Sequence, residues 1–445
     1  MQLDFSYKRI LAISTPIMLG SAVQNVIALS DSVFLYHLSE LDFAAIGFVG
    51  VFYLVIAAIG YGFSKGGQIM IARRAGEKQS EEIGRTFYAM LYFEIGLSVI
   101  MFLLMYYGCP TLFSWFLNSE AIIEKSLAYL DYRSLGVFFS YMGVAIIALY
   151  TGVARTTFII VDTLILAAVN IILNYGLIFG KWGLPEMGIA GAGLASTIAE
   201  VVAFFVFLVY ILRDKKTKDY HLFSLPRLRL DLILQQLKIA GPIVAQAVVG
   251  IGSWFVFFSI VEKLGERQLA ITNLVRMVYL ILSIPCWGFS SGINTIVSNI
   301  IGQAKRSNVM PAIWRTAKMS LLTTLVISLP IIFFPKMTLY PLLGSSDMTL
   351  IEDSQLILFV LIGILILFSV GAVFFNGLVG TGATYFGLKM QFFCAIGYLI
   401  YVYFVVNHTQ GGLPWAWASE IFYWLAIWLF SFLFLRSSRW HAVKV

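Results

Sequence analysis

The chain has 445 residues, of which 60% are apolar and only 12% charged, and its mean hydropathy is +0.88. A soluble domain carries roughly 25% charged residues, so this composition excludes a water-soluble globular protein. The formal net charge of +7 would suit nucleic acid if it were gathered on one surface; its distribution between loops, described below, makes it a topology signal, and no nucleic-acid partner is expected.

Apolar segments recur at lengths near those needed to cross about 30 Å of hydrocarbon at 1.5 Å per residue. A basic start (Met1 to Arg9) runs directly into the first of them, without the pattern of a cleaved signal peptide. In chain order the predicted spans are 10–35, 43–72, 86–108, 128–150, 157–180, 188–212, 237–261, 269–300, 314–334, 354–379, 384–406 and 414–435. Lysine and arginine divide sharply between alternate loops. One side holds Lys8, Arg9, Arg73, Arg74, Arg155, the cluster from Arg213 to Arg229, Lys305, Arg306, and Arg436, Arg439 and Lys444 of the tail. The other side has little beyond Lys125, Lys181, Lys263, Arg267 and Lys336. The positive-inside rule then places both termini in the cytoplasm, which requires an even number of spans, and twelve satisfies it.

The chain also repeats itself. Placing Pro16 on Pro242 aligns Pro16–Gly76 with Pro242–Gly302 without a gap, and about fourteen of some sixty positions are identical. Gly62-Phe63-Ser64 falls on Gly288-Phe289-Ser290, and further along Tyr150-Thr151-Gly152 falls on Phe375-Asn376-Gly377. Six spans separate the copies, so both have the same orientation, and an axis along the membrane normal should relate them. The expected fold is an all-α integral membrane protein of twelve transmembrane helices in two six-helix lobes, an amino-terminal lobe over 1–218 and a carboxyl-terminal lobe over 219–445. The polar stretch Arg213–Asp231, with Pro226 inside it, joins them.

Much chemistry is missing. Cys109, Cys286 and Cys394 lie far apart, and His37, His221, His408 and His441 fall in or near predicted loops or the tail, so no metal or redox spacing forms. No G-x-x-x-x-G-K-[ST] motif is present, which leaves no nucleotide-driven motor in this chain. An enzyme is not expected, because the spans lack the paired acidic or histidine motifs of membrane transferases. Uphill transport would have to draw on an ion gradient, with no cofactor beyond the coupling ion.

The intramembrane polar residues carry the functional expectation. An ionised carboxylate in a span costs about 3 kcal/mol on insertion scales and is a functional candidate by default. Asp31 is such a residue, about four positions from the outer end of the first span. Asn170 and Asn174 share a face of the fifth span at i, i+4, and Ser196 and Thr197 lie at a matching depth in the sixth. Asparagines alone would more often be interhelical glue, worth about 0.6 kcal/mol each; with Asp31 in their layer they form a candidate cation site of Asp31, Asn170, Asn174 and Ser196. One carboxylate with amide and hydroxyl oxygens suits a hard monovalent cation, or a carboxylate that takes up a proton. Gln24, seven residues before Asp31, lines the same predicted cavity, and Glu94, Thr197 and Glu200 are further candidates for contact with substrate. Glu420 and Arg276 are expected to reach the protein interior as structure. Pro16 removes a backbone hydrogen bond from the first span and is expected to kink it.

The pattern Pro16…Asp31-Ser-Val-Phe-Leu, then Asn170-Ile-Ile-Leu-Asn174-Tyr-Gly-Leu-Ile-Phe, then Gly188-Ile-Ala-Gly-Ala-Gly-Leu-Ala-Ser196, resembles the multidrug and toxic compound extrusion (MATE) transporters over nearly the whole chain. The resemblance implies Na⁺- or H⁺-driven export of small, cationic or amphiphilic compounds by alternating access, from a bacterial-type inner (plasma) membrane, by a monomer whose partners are substrate and lipid bilayer. It carries the family's amino-lobe cation site onto Asp31, Asn170, Asn174 and Ser196. Two departures stand out. Asn174 occupies a place where some members have a second aspartate, and Val248-Val249-Gly250 and Leu367-Phe368-Ser369 occupy regions where some members are acidic, so the carboxyl-lobe site of those members is missing. The alternative within the wider superfamily is a flippase of lipid-linked saccharides or peptidoglycan precursors, which would need basic residues in its cavity and often two more spans.

Overall fold

The computed structural model describes residues 3–117, 119–223, 227–338, 348–409 and 411–443; Pro226 of the linker and Lys444 of the tail lie outside these. Within a bilayer every backbone N–H and C=O has to be paired inside its own segment, which leaves the helix as the structure for apolar runs of this length. Helices accordingly stand at all twelve predicted segments. They are α1 (Tyr7–Leu38), α2 (Glu40–Gly76), α3 (Ser80–Leu103), α4 (Glu120–Gly152), α5 (Thr157–Phe179), α6 (Gly188–Arg213), α7 (Leu230–Val261), α8, α9 (Val309–Phe333), α10 (Met348–Gly380), α11 (Thr384–His408) and α12 (Gly412–Arg436). Among the described residues there is no strand.

Two spans depart from the expected outline. The eighth is a pair, Glu266–Leu282 and Ile284–Gly302, bent by 44°. Pro285 opens the second member, where the absence of its N–H costs nothing; the predicted continuous span had run through it. The third continues past its predicted end at 108 through a π-helical turn, Leu104–Gly108, into Cys109–Phe116. α1 is assigned as helix throughout, with Pro16 inside it.

The chain divides into two compact units. One is essentially Leu19–Val244, and the other joins Ala245–Val445 to Gln2–Met18. The division falls inside α1 and α7, two residues beyond Pro16 and Pro242. The packing within each unit shows why. A Cβ on Gly62 would lie 2.8 Å from Val244 Cγ2 and one on Gly66 would lie 2.8 Å from Ala240 Cβ, so these glycines admit the first half of α7 to the first unit. In the second unit, a Cβ on Gly288 would meet Met18 and one on Gly292 would meet Ser14. All four pairs obey the repeat offset of 226, since 62, 66, 14 and 18 become 288, 292, 240 and 244. Small residues one turn apart let helix backbones approach closely in a membrane, where van der Waals contact has to drive association.

The cores of the units differ in character. In the second, Phe257, Tyr279, Phe368, Tyr398 and Trp417 gather from α7, α8, α10, α11 and α12 into an aromatic cluster. In the first, the segment after α6 is tied down: Arg155 pairs with Asp214, which also accepts from Tyr150 Oη at 3.2 Å. Burial pushes the Asp214 carboxyl up, but the Arg155 guanidinium and its other donors outweigh it and hold the group below the ordinary carboxylate range.

The glycine contacts give a direct test. Gly66→Leu has to displace Ala240 backbone atoms that lie 3.1 Å from the new Cβ, so it should lower stability by about 1–3 kcal/mol. Gly143→Leu in α4, where a Cβ meets nothing within 4 Å, should be near neutral. Thermal unfolding of the two variants in detergent checks this; equal melting points would remove the close approach.

Candidate functional site

Asp31 sits in the second half of α1, Asn170 and Asn174 one turn apart on α5, and Ser196 on α6; all four are buried. They form one bonded chain within the first unit. Asn174 Nδ2 donates to Asp31 Oδ1 and, at 3.1 Å, to Asn170 Oδ1. Asn170 Nδ2 in turn donates to Ser196 Oγ at 3.0 Å. The i, i+4 spacing on α5 stacks the two amides so that one can pass a hydrogen bond to the other. The amide of Asn174 is oriented by its neighbours: both present acceptors, so the nitrogen faces them and Oδ1 is turned away. That Oδ1 is buried and has no hydrogen-bond partner. An unpaired buried acceptor costs about 1–3 kcal/mol, which makes this oxygen a candidate for a partner from outside the chain.

The charges around this layer come from α4 and α6. Arg133 forms a bidentate pair with Glu200, both bonds at 2.6 Å, and stacks its guanidinium 3.9 Å from the centre of the Tyr53 ring. Gly136 leaves room for it; a Cβ there would lie 2.4 Å from Arg133 Nη1 and 2.7 Å from Glu200 Oε2. The Arg133 charge acts on Asp31 as well. Arg133 is taken up by Glu200, and among the described residues no basic side chain forms an ion pair with Asp31. The layer thus offers a carboxyl group and one unpartnered amide oxygen, the donor type that hard monovalent cations take. Among the described residues no group of three or more His, Cys, Asp or Glu is placed to hold a metal ion.

The remaining residues expected near substrate have separate surroundings. Thr197 donates to the Tyr132 carbonyl at 2.8 Å, and Gln24 is exposed on α1. Glu94, fully buried on α3, accepts from Ser64 Oγ at 2.6 Å while its Oε2 is unpartnered. Two further groups emerge that the sequence reading passed over. Arg133 is the cation inside the fourth span, and Asp162 on α5 is buried with Oδ1 unpartnered. A charge inside a predicted span was the available signal for both.

A family model, MatE, matches residues 16–176 and 242–404, most of the chain, in two copies that follow the internal repeat. The chain belongs to the MatE family. It is thus a membrane transporter of that family and not an enzyme. A probable multidrug resistance protein NorM of Thermotoga maritima is 25% identical over 441 residues, covering 97% of this chain and 93% of the relative. A second probable NorM, from Synechocystis, is 27% identical and covers 74% of this chain and 71% of its own length. Among solved structures, an outward-facing conformation of a multidrug resistance MATE family transporter of the MOP superfamily superposes with a TM-score of 0.88 at 21% identity, over 98% of this chain and 96% of that one. That likeness fixes the MatE fold, with its two lobes.

The Arg133–Glu200 pair makes a stability prediction for this MatE chain. Arg133→Met leaves the largely buried Glu200 carboxylate, 14% exposed, without its partner and should cost about 3 kcal/mol, whereas Arg133→Met combined with Glu200→Met should recover most of that loss. Melting of the single and double variants in detergent is the check; a single variant as stable as the parent would show that the pair is not desolvated.

Proposed function

We propose that the protein is a secondary antiporter that exports small, cationic or amphiphilic compounds in exchange for a monovalent cation, with Asp31 as the coupling carboxylate. The observation that carries this reading is a buried Asp31 carboxyl group with no ion-pair partner among the described residues, hydrogen-bonded by Asn174, whose own Oδ1 is unpartnered. The names of the NorM relatives support a multidrug substrate range. The halves 1–218 and 219–445 act as the alternating lobes of a monomer in a bacterial-type inner membrane, and the basic loops keep both termini in the cytoplasm.

Sodium is the preferred ion. Neutral amide and hydroxyl donors supply oxygens without repelling it, and a proton would need only the carboxylate. A bound sodium ion would neutralise Asp31 and offer Asn174 Oδ1 the partner it lacks. Asn174 has a second task, holding Asp31 Oδ1 in place, and Asn170 holds Asn174 through the link to Ser196. Protons compete for the same carboxylate, so the two ions exclude each other at Asp31. Neutralising Asp31 removes the charge that makes this layer of the first unit unfavourable to leave empty, which is how ion occupancy can bias one state of the carrier over another.

Efflux from membrane vesicles, titrated with Na⁺ at fixed pH, tests the proposal. Asp31→Asn should abolish uphill export while the protein still reaches the membrane, because removing the charge lowers the cost of insertion. Asn174→Ala should raise the Na⁺ concentration for half-maximal transport roughly tenfold, the loss of one ligand being worth about 1.4 kcal/mol. A flat Na⁺ response in the unmodified protein would remove the sodium assignment, and unimpaired uphill export by Asp31→Asn would remove the site.

A further inference from the structure

The second unit holds a buried carboxylate that the first unit's cation site does not use. Glu420, on α12, is 4% exposed. Trp424 Nε1 donates to its Oε2 at 3.1 Å and, bifurcated, to Tyr279 Oη at 3.2 Å. Tyr398 is also buried, and its hydroxyl sits beside the carboxylate without meeting hydrogen-bond geometry, so it is an unpartnered polar atom at this place. Tyr279 and Tyr423 share the electrostatic environment of the same carboxylate. Among the described residues no basic side chain pairs with Glu420, in contrast to Glu200 with Arg133.

Its position in the repeat is informative. α6 and α12 each open on a glycine with positive φ, Gly188 at +56° and Gly412 at +62°. Counting from these starts, Ser196 corresponds to Glu420. α5 and α11 open on Thr157 and Thr384, and the same counting takes Asn170 to Gly397 and Asn174 to Tyr401. The offset of 226 takes Asp31 to Phe257, which packs 5.9 Å from Tyr398 and 5.6 Å from Trp417. The second unit therefore repeats the layer of the cation site with its chemistry exchanged: the acid has moved from the first helix of the repeat to the last, and the amides have become a glycine and aromatic rings.

A cavity of about 670 Å³ lies between α11 and α12, and Gly397, Tyr398, Tyr401, Ser419 and Tyr423 are in its wall. Gly397 and Tyr401 are the counterparts of the two asparagines. Tyr398 has both roles, with its ring in the wall and its hydroxyl beside Glu420. The volume is that of a drug-sized site, and the wall is nearly all apolar and aromatic. A small metal ion would find too few oxygens here to replace its hydration shell. A large cation with delocalised charge and an apolar body loses little hydration, gains from the faces of Tyr398, Tyr401 and Tyr423, and is drawn by the carboxylate behind them. Lys389, toward the start of α11, also lines the cavity and orients the charged end of such a ligand away from itself, toward Glu420.

We infer that the cavity between α11 and α12 is a binding site for lipophilic organic cations, with Glu420 as its counter-charge and Tyr398 between the carboxylate and the ligand. The site extends the proposed export function by naming where in the second unit a cationic substrate is held; the binding itself needs no ion gradient.

Tetraphenylphosphonium binding to the purified full chain in lipid nanodiscs, measured at equilibrium, tests this. Glu420→Gln should weaken binding at least about tenfold, from loss of the counter-charge in a low-dielectric site. Gly397→Leu fills the cavity from a position where a Cβ meets nothing within 4 Å, so the fold tolerates it, and it should weaken binding to a similar degree. Gly143→Leu in α4 of the first unit, where a Cβ likewise meets nothing within 4 Å, should bind within about threefold of the parent. Absence of binding to the parent, or parent-like binding by both Glu420→Gln and Gly397→Leu, would overturn the inference. An equal loss in Gly143→Leu would also overturn it, because the effect would then not be local to the cavity. A flat sodium response in efflux would defeat the coupling proposal and leave this result standing, so the two failures are distinguishable.

Discussion

A carboxylate held inside a bilayer costs about 3 kcal/mol on insertion scales, and the organisation of the first unit can be followed outward from how it accommodates Asp31. Asn174 supplies a hydrogen bond, and Asn170 and Ser196 hold Asn174 in the orientation that supplies it. Arg133 brings an opposite charge within reach but is already bound on both arms by Glu200. The result is a carboxylate that is solvated by the protein yet not neutralised by it. The proposed cation exchange needs that balance, since full neutralisation by an arginine would leave nothing for the ion to do.

The same arginine bears on the flippase alternative. A carrier of lipid-linked anions needs cationic side chains free to meet its substrate. Arg133 is buried, bidentate and stacked on Tyr53, which makes it part of the scaffold. Its partner Glu200, expected from the sequence to touch substrate, is committed to the same pair.

Long-range features with a simple periodic signature could be read directly from the chain. The twelve helices follow from apolar length, and the repeat follows from one gapless alignment that the structure expresses again as reciprocal glycine contacts at Gly62, Gly66, Gly288 and Gly292. The bonded layer of Asp31, Asn170, Asn174 and Ser196 was legible because depth along a helix is a linear count, and residues at equal depth in neighbouring spans can meet. Lateral packing has no such count. Nothing in the sequence says that α3 turns Glu94 toward Ser64 on α2, or that Arg133 and Glu200, 67 residues apart, face each other over Gly136. The bend in the eighth span was hidden for a different reason: the apolar run is continuous across it, and only Pro285 marks the break. Glu420 and Arg276 were both expected in the interior; Glu420 is there, whereas Arg276 is exposed on α8, and the register of Glu420 with Ser196 became visible only once both helix starts were fixed by their positive-φ glycines.

The central claim is that Asp31 and the amides behind it form a binding site for one monovalent cation. It is tested most directly by ligand-linked stability, because a cation that binds the folded state raises the melting point in proportion to its occupancy. Thermal unfolding of the purified protein would be followed as Na⁺ replaces choline at constant ionic strength and pH. The account predicts a saturable rise in melting point for the parent and none for Asp31→Asn. A parent that does not respond, or an Asp31→Asn variant that responds as the parent does, would contradict it.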